Sequence, residues 1–85
     1  MDARVTMEEK YATLSVIYGS LEEKELIFKT NEMCVRKYNL SPDIYFKPDK
    51  PGEGRVIVEF RENTRDVQAY FECFISESKI KIKEV

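Results

Sequence analysis

The order in which the hydrophobic period changes along this chain constrains its fold more than any other feature. Ala12, Leu14, Val16 and Tyr18 alternate with Tyr11, Thr13, Ser15 and Ile17, the two-residue period of a half-buried strand. After Gly19 the period becomes helical, and Ser20 with Glu23 forms a capping box that starts the helix. The stripe expected to be buried is Leu26, Ile27, Thr30, Met33, Cys34 and Tyr38. Asn39-Leu40-Ser41-Pro42 ends the helix, because Pro42 disfavours helical geometry in the residue before it. Residues 44–47 and 55–61 read as two strands around Pro48-Asp49-Lys50-Pro51-Gly52-Glu53-Gly54, a loop rich in turn formers. In the later strand Val56, Val58 and Phe60 point one way, and Arg55, Ile57, Glu59 and Arg61 the other. A second helix is expected after a cap at Asn63, with Val67, Tyr70, Phe71, Phe74 and Ile75 spaced as one apolar face. Lys79-Ile80-Lys81-Ile82-Lys83 alternates as a lysine-protected edge strand.

Strand, helix, strand, strand, helix, strand is the βαββαβ order. It predicts an α+β fold of the ferredoxin-like split βαβ kind, an antiparallel sheet with two helices packed on one face. With 85 residues the chain has material for a single domain, and residues 1–9 show no pattern and are expected to be a flexible N-terminus. The apolar fraction of 42% suffices to close one core, so a folded chain is expected rather than a disordered one.

Charge and composition narrow the function classes. A net charge of −2 supplies no bulk basic field for nucleic acid. No apolar run approaches the roughly 18 to 20 residues of a membrane span, and no secretory signal is seen, so the expectation is a cytoplasmic protein without a membrane partner. Cys34 and Cys73 fall on helix faces among apolar neighbours and read as reduced, buried, slow-reacting thiols. The chain has no histidine, which removes the commonest general base and histidine-dependent triads, and with two separated cysteines any standard zinc site. Gly52-Glu53-Gly54 is not followed by a helix, so it is neither a P-loop nor a dinucleotide fingerprint. Glu22, Glu23 and Glu25 belong to a helix N-terminus, where the dipole favours them. The expectation is a chain with no catalytic residue, no cofactor and no metal.

Gly54 to Phe60 matches the position and the aliphatic-x-aromatic ending of an RNA-recognition-motif strand. The two positions that would carry base-stacking rings, however, hold Arg55 and Ile57, and the first strand offers Thr13, Ser15 and Ile17. Lys47, Lys50, Arg55 and Arg61 form a possible basic patch that could meet phosphate weakly, although solubility is its ordinary role.

Two segments carry a family resemblance. Thr13-Leu14-Ser15-Val16-Ile17-Tyr18 with Ser20-Leu21-Glu22-Glu23-Lys24-Glu25-Leu26 resembles the first strand and helix of the small dimerisation subunit of the KEOPS complex, related to the cancer/testis antigens. Gly54-Arg55-Val56-Ile57-Val58 with Asn63-Thr64-Arg65-Asp66-Val67 is similar to its third strand and second-helix opening. Asn63 stands for that family's Asp, Gln68 for its second Arg, and Glu72-Cys73 for Asn-Ser. The resemblance implies a nonenzymatic accessory subunit, a divergent member or paralogue, that dimerises and assists threonylcarbamoyl modification of tRNA adenosine. Arg65 and Val67 are the positions it assigns to partner binding.

The function expected is therefore a protein–protein assembly or regulatory module with a protein partner or a second copy, any nucleic-acid contact being indirect. The alternatives are a small RNA-associated domain and an inhibitor that covers a partner's surface.

Overall fold

The computed structural model describes residues 1–78 and the backbone of 82–84. Its elements are β1 (Asp2–Met7), β2 (Ala12–Tyr18), α1 (Leu21–Lys37), β3 (Asp43–Pro48), β4 (Gly54–Phe60), α2 (Arg65–Ser78) and β5 (Ile82–Glu84). They form one sheet in the order β3-β4-β2-β1-β5, antiparallel except for β5, which runs parallel to β1. The α+β fold and its βαββαβ order, from β2 to β5, are as expected. The N-terminal residues are not a flexible lead, because Asp2–Met7 pairs along β2 and buries Ala3 and Val5. β1 thereby enters the sheet between β2 and the last strand. The alternating lysine segment corresponds in part to β5, with residues 79–81 lying outside the described residues.

The spine is the β2–β4 ladder, which registers Leu14 on Val58 and Val16 on Val56 and turns all four side chains to one fully covered face. Tyr70, Phe71 and Phe74 of α2 close over it, with Phe60 of β4 edge-on to Tyr70 at 4.8 Å and to Phe71 at 5.7 Å. Phe28 of α1 meets Phe46 of β3 on the same face, so both helices share it. On α1 the buried positions are Ile27, Thr30, Asn31 and Cys34, whereas Leu26 and Met33, expected in the stripe, are exposed. Their rows face outward because the seam with α2 selects the Ile27-Thr30-Asn31-Cys34 side. Ile75 of α2 is also exposed.

Local chemistry sets the boundaries. The Glu23 N–H donates to Ser20 Oγ at 3.1 Å, and the Glu23 carboxylate accepts from the Gly19 N–H at 2.7 Å. That second bond, reinforced by the Met1 ammonium 3.0 Å away, holds the Glu23 carboxyl below its usual range. α1 ends before Pro42 acts on it. Asn39 adopts φ 54°, its N–H donates to the Arg36 carbonyl, and the Leu40 N–H donates to the Val35 carbonyl at 2.9 Å, which is a Schellman ending. α2 is capped by Thr64, whose Oγ1 accepts from the Val67 N–H at 3.3 Å. Asn63, the expected cap, instead donates to the Glu8 carbonyl at 2.7 Å and so ties the helix entry to the β1–β2 turn. Between β3 and β4, Pro51 and Gly52 (φ 82°) occupy the centre of a turn closed by the Glu53 N–H on the Lys50 carbonyl at 2.8 Å. Gly54 is required by close approach, since a Cβ there would lie 2.5 Å from Tyr18 Oη and 2.8 Å from the Lys47 carbonyl oxygen.

Two ties lock the helices together. Cys34 and Cys73 are buried as expected but are not free thiols: they are joined as a disulfide between α1 and α2, with Cα atoms 6.0 Å apart. A separation of 39 residues hid this pairing, which the packing of α1 against α2 creates. Paired cysteines lend the cytoplasmic expectation no support. Beside the disulfide, buried Tyr70 donates its hydroxyl to Asn31 Oδ1 at 2.6 Å. Burial raises the Tyr70 pKa well above the ordinary tyrosine value of 10.0.

Two outcomes follow from these ties. Reducing the disulfide should cost about 3 to 4 kcal/mol, the loop-closure value for a sequence separation of 39, measured as the change in urea unfolding free energy with and without reductant. Because folding favours neutral Tyr70, its contribution is complete below pH 10 and declines as pH rises beyond the ordinary tyrosine value. Tyr70→Phe should cost about 1 to 3 kcal/mol at neutral pH by stranding Asn31, and should flatten that alkaline decline in pH-dependent urea titrations.

Candidate protein-binding surface

β3 is an edge strand, and its three consecutive apolar residues are all exposed. Ile44, Tyr45 and Phe46 expose 44, 45 and 41% of their surface in immediate succession, so the strand is apolar on both faces and unpaired along one side. Phe46 is shielded only inward, where it stacks on Tyr18 at 6.2 Å, meets Phe28 edge-on and lies 4.5 Å beneath Lys24 Nζ. Natural sheets normally blunt such an edge with central charges, a bulge or a covering loop. Here charges occur only towards its ends, at Asp43 and Lys47.

The face of the sheet away from the helices carries three cross-strand rows. Tyr45, Ile57, Ser15 and Arg4 form the middle row, Lys47, Arg55, Ile17 and Asp2 one flank, and Asp43, Glu59, Thr13 and Thr6 the other. Lys47 thus faces Arg55, and Asp43 faces Glu59. Directly opposed like charges destabilise a strand pair, so the Lys47–Arg55 end favours a negative charge from outside and the Asp43–Glu59 end, offset in part by Arg61, a positive one.

The expected basic patch divides in this geometry. Lys47 and Arg55 are neighbours at the end that leads into the loop bearing Lys50, whereas Arg61 is at the other end, its Nε 3.1 Å from Asp43 Oδ2. A cleft of about 540 Å³ beside Lys47 and Arg55 is also lined by Asp2, Glu23, Asp49 and Glu53. Its carboxylates outnumber its cations, which opposes phosphate binding. Of the residues assigned to partner binding, Arg65 is exposed in the first turn of α2. Val67 is completely buried and belongs to the core, because the α2 apolar face begins with it. The sequence places Tyr45 in a short strand over residues 44–47, with no local signal that this strand lies at the sheet margin.

Among the described residues, no cluster of three or more metal-ligating side chains is present, and no helix is long and apolar enough to cross a membrane. No protein-family model, no curated protein and no solved structure matches the chain.

Proposed function

We propose that this protein is a nonenzymatic assembly module that binds a protein partner along β3. The observation that carries this reading is the uninterrupted exposure of Ile44, Tyr45 and Phe46 on an edge strand whose outer backbone groups await a ladder. The absence of histidine from the sequence and the carboxylate-rich cleft beside Lys47 and Arg55 support it over catalysis or RNA binding. The likeness of residues 13–26 and 54–67 to the KEOPS dimerisation subunit supports an accessory role of that type, with Arg65 as a secondary contact.

The test uses the tagged full chain and an Ile44→Thr/Phe46→Thr variant, which keeps strand-forming residues while removing the apolar surface. Wild type should retain a stoichiometric protein, itself or another, with chemical cross-links at β3, and the folded variant should lose it. Cross-links confined to other surfaces, or equal retention by both chains, would contradict the reading.

A further inference from the structure

The shape and charge of β3 specify its partner further. We propose that the occupant of this edge is the β3 of a second copy, antiparallel about a two-fold axis through Tyr45, giving one continuous sheet across two chains. This deepens the assembly reading and rests on it.

The register follows from strand geometry. In an antiparallel ladder the groups pointing away from one neighbour belong to alternate residues, so two copies of one edge can bond only when facing residues are both odd or both even in number. A two-fold axis perpendicular to the sheet meets this condition and keeps the helices of both copies on one face. Centring it on Tyr45 sets Asp43 against Lys47 of the second copy, Ile44 against Phe46 and Tyr45 against itself. All five residues from Asp43 to Lys47 are then paired without asking Pro48 for an N–H it lacks. Moving the axis to Ile44 or Phe46 separates Asp43 from Lys47 and shortens the ladder or draws in Pro48.

Charge complementarity selects the same register. The Lys47–Arg55 pair of one chain abuts the Asp43–Glu59 pair of the other, twice by symmetry. Each such row then runs two cations, two carboxylates, so both like-charge pairs gain an opposite charge across the seam. Asp43 gives Oδ2 to Arg61 within its own chain, and Oδ1 is the atom for Lys47 of the second copy. In the middle row the two Tyr45 rings meet, flanked by Ile57 from each side. On the helix face the exposed edges of Ile44 and Phe46 close on each other.

Sedimentation velocity on the full chain tests this with two charge variants, Asp43→Lys and Lys47→Asp. Wild type should dimerise, and each variant alone should self-associate about tenfold or more weakly, since it sets like charges opposite one another twice. An equimolar mixture of the two should recover dimers, because every facing pair is then opposite in sign, and that recovery also shows that both variants fold. Wild type that stays monomeric up to its solubility limit would overturn the proposal, as would dimers indifferent to either substitution or a mixture no tighter than its components. A monomer that still captures a different protein through β3 would overturn self-pairing and leave the assembly reading standing.

Discussion

Everything in this structure depends on the β2–β4 ladder having one face that must be buried. Leu14, Val16, Val56 and Val58 are fully covered, and a slip of one residue would carry that set to water, so the register of the central pair is fixed by burial. Among the described residues the two helices supply that cover. Two helices packed about 8 to 10 Å apart span about four strands at about 4.8 Å spacing, not five. β1 takes part of that cover, as buried Ala3 and Val5 show, and β3 is left at the opposite margin with its apolar residues more than 40% exposed. The bare edge is thus a geometric consequence of the N-terminal strand joining the sheet.

On an aliphatic surface the two helices could slide past each other, because Val and Leu contacts carry no direction. The Cys34–Cys73 disulfide and the Tyr70–Asn31 hydrogen bond remove that freedom. Both lie in the seam between α1 and α2, and they decide which α1 rows are inside. Thr30 and Asn31 are buried while Leu26 and Met33 are not, an inversion of simple hydrophobic order that follows from what α2 presents to the seam.

Much of this architecture is legible in the residues. The alternation in β2 and β4 and the stripe from Val67 to Phe74 are local patterns, and they mark elements whose burial agrees with their period. β1 was harder, since its apolar positions are only Ala3, Val5 and Met7 among Asp2, Arg4 and Thr6, and its strand character comes from pairing with β2. The disulfide depends on a helix–helix approach that no local spacing encodes. The candidate surface was the least readable part. Ile44-Tyr45-Phe46 reads as a short strand whose marginal place only the sheet order shows, and the basic residues appear clustered until the ladder separates Arg61 from Lys47. Val67 carried a family likeness and a core position at once, and burial decides between them.

The central claim is that the outer side of β3 is an interface, and backbone amide hydrogen exchange addresses it without altering the chain. Alternate amides of β3 point away from β4, and in an isolated molecule they have no ladder partner. If β3 pairs with a second copy, those amides should become protected as protein concentration rises, while amides at the centre of the β2–β4 ladder stay equally slow throughout. Outward β3 amides that exchange freely at every concentration and in the presence of captured partners would contradict the account.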